Sequence, residues 1–178
     1  MSRIIAIAGS ISSDSINKKV LKSIATKNTN IEILELENYL TPFYSSDEEK
    51  ANGVPEKALA LLKKFNSADA IIISSPEYNG QLSAAFKNTI DWMSRAERLI
   101  FGNKPTLLIS ASPGARGGAS VLKLMNDIFP RFGADIAASV SIGKFNDVFQ
   151  DNDFDTDTQL KLNTALALLA QKTKSPQD

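Results

Sequence analysis

The chain contains neither cysteine nor histidine. Disulfides, thiol nucleophiles, Cys/His zinc sites, histidine-ligated haem and a Ser-His-Asp triad are therefore excluded. If the protein is an enzyme, its chemistry falls to a cofactor or to a carboxylate. Net charge is missing too, since 20 basic residues balance 20 acidic ones. That removes the electrostatic case for nucleic acid or an anionic membrane as partner. No apolar run approaches the roughly 18 residues of a membrane span, and Met1-Ser2-Arg3 leads straight into a strand without the apolar core of a secretion signal. A cytoplasmic protein is expected. What is present is 178 residues with 43% hydrophobic content, enough for one domain whose core needs no staples. A single domain over residues 1–178 is expected, without internal repeat or linker.

One stretch organises the rest. Ala68-Asp69-Ala70-Ile71-Ile72-Ile73 reads as a strand buried on both faces. Leu82, Ala85, Phe86, Ile90 and Met93 then recur at helical spacing. Between them lies the turn Ser74-Ser75-Pro76-Glu77-Tyr78-Asn79-Gly80, in which Pro76 fixes its φ and Asn79-Gly80 reaches positive φ with little strain. A rigid loop between a central strand and a helix N-terminus is where open α/β sheets bind ligands.

Two other strands end in unusual loops. Ile4–Ala8 runs into Gly9-Ser10-Ile11-Ser12-Ser13-Asp14-Ser15-Ile16-Asn17, and a helix follows with Asn17, Val20, Leu21 and Ile24 on one face. Hydroxyls and free N–H groups at a helix N-terminus suit a phosphate. The loop matches neither the dinucleotide nor the P-loop glycine pattern. Lys104–Ala111 is a strand feeding Ser112-Pro113-Gly114-Ala115-Arg116-Gly117-Gly118, whose glycines let backbone approach a flat or anionic ligand. The next helix carries Val121, Leu122, Met125, Ile128, Phe129 and Phe132 over more than one face and ends or kinks near Pro130. So wide an apolar surface suits subunit packing as well as core.

The remaining segments complete a pattern. Ile31–Leu36 is a strand nearer the sheet edge, and Glu37 to Gly53 reads as a long loop. Pro55 stands as the first residue of a helix with Ala58, Leu59, Leu62 and Phe65 on its apolar face. Ala134 to Ile142 is a fifth strand, and Thr158 to about Gln171 the last helix, with a frayed tail to Asp178. Asp151, Asp153, Asp155 and Asp157 alternate, but the glycine and terminal glutamate of a calcium loop are missing, so no metal site is expected. Five βα repeats imply a three-layer, doubly wound α/β sheet. In a 2-1-3-4-5 order the three unusual loops become neighbours at the topological switch point. Phosphate chemistry in the first and flat-ring chemistry in the others describe a phosphorylated aromatic ligand such as FMN.

Over nearly its whole length the chain resembles the NADPH-dependent FMN reductase family of flavodoxin-like proteins, which includes quinone, azo-dye and chromate reductases. The resemblance rests on Gly9-Ser10 to Ser15-Ile16-Asn17, on Pro76-Glu77-Tyr78-Asn79-Gly80 with Lys87-Asn88-Thr89-Ile90-Asp91-Trp92, on Ser112-Pro113-Gly114 with Gly117-Gly118, and on Leu40-Thr41-Pro42-Phe43-Tyr44. It implies that Ser10, Ser12, Ser15, Ile16 and Asn17 surround the FMN phosphate. Pro76, Glu77, Tyr78, Asn79 and Gly80 would border the isoalloxazine, and Ser112, Gly114, Gly117 and Gly118 the ribityl and ring side. Ser12 stands where the family usually has Arg, which removes one charge-assisted phosphate contact, and Asp14 adds a negative charge nearby. Ser83 stands where a Pro is common. The resemblance further implies hydride transfer from NADPH or NADH through flavin N5 to a small acceptor in a ping-pong cycle, and a homodimer or homotetramer. Lys87 and Asp91 read as helix-surface or dimer-contact residues, not catalysts, while Arg116 is open to two readings, a cofactor phosphate or solvent. A flavodoxin-like electron carrier and a flavin-free binding or regulatory descendant are the competing functions. Such carriers are typically strongly acidic, which this chain is not.

Overall fold

The chain is described over residues 2–174 in a computed structural model. Its five main strands are β1 (Ile4–Ala8), β2 (Ile31–Leu34), β3 (Ala70–Ser75), β4 (Lys104–Ala111) and β5 (Ala134–Ile142). They pair in parallel in the order β2-β1-β3-β4-β5. The helices are α1 (Ile16–Thr26), α2 (Ser46–Asn52), α3 (Glu56–Asn66), α4 (Ala84–Ala96), α5 (Ala119–Ile128), α6 (Phe145–Val148) and α7 (Thr156–Lys174). The central strands carry near-continuous apolar runs because both of their faces are covered. Ile5, Ile7, Ile71, Ile73 and Leu108 point into one core with residues of α3, α4 and α5. Ala6, Ile72, Leu107 and Ile109 point into the other with residues of α1 and α7. This is the three-layer flavodoxin-like arrangement expected from the sequence.

Several boundaries differ, each for a physical reason. β2 stops at Leu34, and Leu36–Tyr39 turns as a 3-10 helix. α2 lies inside the stretch expected as loop; it buries no residue, so hydrophobic periodicity could not announce it. Its signals are polar: Ser45 Oγ accepts from Glu48 N–H at 3.0 Å, and Asp47, Glu48 and Glu49 occupy the first turn. On α3 the buried face is Ala58, Leu61, Leu62 and Phe65, while Leu59 is exposed. Pro55 caps that helix instead of starting it, a one-residue difference. α5 spends its apolar surface on the core. Val121, Leu122, Met125 and Phe129 are buried, and Ile128 and Phe132 pack against the same cluster, so of the two uses open to this wide apolar surface these residues serve the core.

After β5 the chain makes a small hairpin, β6 (Phe149–Gln150) with β7 (Asp153–Phe154), under which Phe145, Phe149 and Phe154 pack together. The alternating carboxylates serve here. Asp153 pairs with Lys27 at 2.6 Å, and the Asp155 carboxylate accepts from Thr158 N–H at 2.8 Å to cap α7. The tail expected to fray lies partly outside the described residues.

Candidate functional site

The loops after β1, β3 and β4 meet at the C-terminal edge of the sheet. They enclose a cleft of about 210 Å³ lined by Ser10, Ser12, Asp14, Ser15, Ile16, Asn17, Pro76, Glu77, Tyr78, Ala111, Ser112 and Pro113. Three segments far apart in sequence thus share one site. Of the expected site residues, Asn79 and Gly80 lie at the tip of the hairpin beside it. Gly114 is exposed on the rim, and Gly117 and Gly118 are buried behind the rim.

The end formed by the β1 loop is a set of neutral donors. Ser15 caps α1, its Oγ accepting from Lys18 N–H at 3.4 Å and its carbonyl from Lys19 N–H at 3.1 Å. Ile16 and Asn17 occupy the first turn, where no carbonyl one turn earlier exists to receive their N–H groups. Ser10 Oγ accepts from Ser12 N–H at 3.2 Å and rounds the loop, leaving the Ser12 side chain exposed. No lysine or arginine lines the cleft. Lys18, on α1, is held by Glu35 at 3.0 Å and by Glu37. Burial pulls its pKa down, but the bonds to Glu37 and Glu35 outweigh that and leave it raised. Asp14 is exposed and paired with Lys19 at 2.6 Å, which blunts its charge toward the cleft.

Asn17 turns inward. Its Oδ1 accepts from Ser74 Oγ at 2.8 Å and Ala111 N–H at 3.1 Å, and its Nδ2 donates to Ala111 C=O at 3.1 Å. The side chain, 2% exposed, staples α1 to the ends of β3 and β4. Only its backbone N–H remains for an anion. Ser83 does related work: its Oγ donates to Gly9 C=O at 2.7 Å and accepts from Phe86 N–H at 3.1 Å, capping α4 and tying it to the end of β1.

The other wall is held by a buried proline and a tight hairpin. Pro76 is buried, and Tyr78 and Gln81 exchange two backbone bonds of 3.0 Å across a two-residue hairpin. Asn79 at φ 52° and Gly80 at φ 77° supply the paired positive φ that such a turn demands. The Tyr78 side chain is half exposed beside the cleft. Glu77 directs its carboxylate to α5, where Oε2 accepts from Ser120 N–H at 2.9 Å and Val121 N–H at 3.1 Å. In the β4 loop, Ser112 N–H donates to Ile142 C=O at 3.1 Å and Ser112 Oγ to Gly114 C=O at 3.3 Å. Gly117 and Gly118 have positive φ, and side chains there would collide with Ser141 and Ser110 respectively. They let the loop close onto the sheet instead of facing the cleft. Arg116 is exposed and donates to Ser120 Oγ at 3.0 Å.

One part of the arrangement escaped sequence reasoning. Asn88 Nδ2 donates to Thr41 Oγ1 and Pro42 C=O at 3.1 and 2.9 Å, its Oδ1 accepts from Tyr44 N–H at 2.8 Å, and Trp92 Nε1 donates to Pro42 C=O at 2.8 Å. The Tyr44 and Trp92 rings meet edge to face at 5.1 Å. The helix signature 87–92 therefore anchors the 40–44 loop and does not touch the cleft. On that pinned loop Phe43 is 82% exposed. Lys87 and Asp91 pair with each other at 2.6 Å along the helix surface, as expected.

Residues 2–147 match the model of the NADPH-dependent FMN reductase family. An uncharacterized protein of Mycoplasma pneumoniae, the MG342 homolog, is 33% identical over 153 residues, covering 83% of this chain and 91% of that protein. The Escherichia coli K12 quinone reductase is 37% identical over 78 residues, a match covering 44% of this chain but only 42% of the enzyme. Among solved structures, the flavoenzyme NAD(P)H:(acceptor) oxidoreductase FerB of Paracoccus denitrificans superposes with a TM-score of 0.81 at 22% identity, over 98% of both chains. The fold, the cleft at its switch point and the family match agree: the chain belongs to the NADPH-dependent FMN reductase family, oxidoreductases that work with FMN and NAD(P)H.

Proposed function

We propose that the cleft binds FMN and that the protein passes electrons from NAD(P)H to a small acceptor such as a quinone, a free flavin, an azo compound or a metal oxyanion. The observation that carries this reading is the convergence of three separate loops on one cleft, with anion donors at one end and the proline-and-hairpin wall at the other. The donor set fits a phosphate. The N–H groups of Ile16 and Asn17 and the hydroxyls of Ser10 and Ser12 hold it, with Ser15 shaping the turn. Pro76 to Asn79 would border the ring, with the backbone N–H groups of Asn79 and Gly80 at the hairpin tip as candidate donors to it. Ser112 and Gly114 flank the ribityl chain, and Gly117 and Gly118 fix their loop from behind. FMN held there would supply two-electron redox chemistry between NAD(P)H and the acceptor, alternating in a ping-pong cycle. A chain without cysteine or histidine contributes orientation and electrostatics, and excludes competing chemistry.

A second copy of the chain covers the 40–44 loop, giving a homodimer or a dimer of dimers. Phe43, almost fully exposed on a loop held by Asn88 and Trp92, supports this. The cytoplasm, where NAD(P)H is held, is the location this function implies. NADPH oxidation by FMN-loaded protein, with a benzoquinone as acceptor, tests the proposal. Acceptor-dependent turnover with parallel double-reciprocal lines is expected, and loaded protein that leaves NADPH unconsumed contradicts it.

A further inference from the structure

Glu77 stands on the cleft wall between Pro76 and Tyr78, yet its carboxylate caps a helix, accepting from a residue 43 positions later in the chain. A single oxygen, Oε2, takes the N–H groups of Ser120 and Val121, the second and third residues of α5. The reason lies in the neighbouring backbone. The N-cap position of α5 is Gly118, and a side chain there would run into Ser110 Oγ. The residue that normally caps a helix from its own N-terminus is therefore barred here. α1, α2, α4 and α7 are capped locally by Ser15, Ser45, Ser83 and Asp155; α5 receives its cap from the loop that forms the facing wall of the cleft.

Two consequences follow from this one contact. The 76–78 loop and the 112–118 loop, which border the same cleft, are bolted together through a charged hydrogen-bond pair. The carboxylate also sits against the positive end of the α5 macrodipole, worth about half an elementary charge, and leaves the pair with net negative character beside the cleft.

We propose that Glu77 is a positioning residue that sets how strongly the cleft favours oxidised over reduced FMN. The inference rests on the FMN reading above. Two-electron reduction with uptake of one proton adds one negative charge to the flavin ring, and the Glu77 carboxylate opposes that charge. Glu77 thus keeps the bound flavin a strong reductant while its hydrogen bonds keep both ring walls in register.

The two roles separate in two variants. Glu77→Gln keeps an oxygen that can accept from Ser120 and Val121 but removes the charge, whereas Glu77→Ala removes both. Dissociation constants for oxidised and reduced FMN, and the midpoint potential of the bound flavin, are measured for the wild type and both variants. The thermal midpoint of the FMN-free proteins is recorded alongside. Glu77→Gln is expected to bind oxidised FMN within about threefold of wild type and reduced FMN about tenfold tighter, a midpoint potential about 30 mV more positive. Glu77→Ala is expected to bind both forms at least about tenfold more weakly and to melt earlier without ligand. An unmoved or more negative potential in Glu77→Gln overturns the electrostatic role of Glu77 even though FMN binds. Equal behaviour of the two variants in the FMN-free melt overturns its role as a cap. A wild-type protein that binds no FMN overturns the FMN reading itself and this inference with it.

Discussion

Asn17→Ala separates a structural role from a ligand-binding one. In the resemblance this residue belongs to the phosphate loop, but here its side chain makes three hydrogen bonds to Ser74 and Ala111, at sites 0% and 2% exposed. Truncation removes three bonds worth about 0.5–1.5 kcal/mol each and leaves buried partners unsatisfied. Alanine recovers about 0.5 kcal/mol of helix propensity. The net loss is about 3 kcal/mol, which for a chain of this size lowers the thermal midpoint by about 6–12 °C. Urea unfolding of FMN-free protein, followed by far-UV circular dichroism, measures it directly. The absence of ligand matters, because a residue that served only a phosphate would cost nothing there. A loss below about 0.5 kcal/mol in the FMN-free protein would refute the staple and return Asn17 to the phosphate.

The other expectations concern the same loops and one buried charge. Ser12→Arg restores a charged phosphate contact of about 1.5–3 kcal/mol, so FMN binding measured by fluorescence quenching tightens about ten- to a hundredfold; unchanged affinity contradicts the account of this position. Gly118→Ala places a Cβ at φ 73° and against Ser110 Oγ, and is expected to destabilise by more than about 2 kcal/mol in denaturant unfolding; wild-type stability contradicts the close packing of that loop. For the Lys18 network, burial raises the Glu37 pKa but the Lys18 bond outweighs it, leaving it below its ordinary 4.5. A depressed carboxylate stabilises above its unfolded pKa, and that contribution disappears as pH falls through the folded value. The stability difference between wild type and Lys18→Met, from urea midpoints, should therefore shrink between about pH 6 and pH 3; a difference constant over that range refutes the pairing.

What the sequence made legible follows from where the physics is local. β1, β3 and β4 announce themselves because strands covered on both faces carry near-continuous apolar runs, and each begins and ends within two residues of expectation. Asn79-Gly80 announces a tight turn because few other pairs tolerate two positive φ values in a row. The three loops could be brought together on paper because parallel sheets of this order leave only one switch point. The chain hides what depends on distant partners. No local pattern says that Glu77 caps α5, that Asn17 faces Ala111, or that Asn88 and Trp92 hold the 40–44 loop, since each bond spans more than 40 residues. α2 was hidden for the opposite reason: it buries nothing, and only its serine cap and acidic first turn mark it. On α3 helical spacing alone gives two adjacent solutions, and packing buries Leu61 where the spacing points to Leu59.

The central claim is that the cleft formed by the three loops is an FMN site at which NAD(P)H is oxidised. Its most direct test is a visible spectrum of protein incubated with FMN and desalted, recorded anaerobically before and after addition of NADPH, with a parallel FMN titration for the weaker retention expected from Ser12. The account predicts flavin bound at micromolar concentrations or below, with its band bleached by NADPH. Flavin that binds but keeps its colour in the presence of NADPH and NADH would contradict the reductase reading, and protein that binds no FMN in the titration would contradict the site itself.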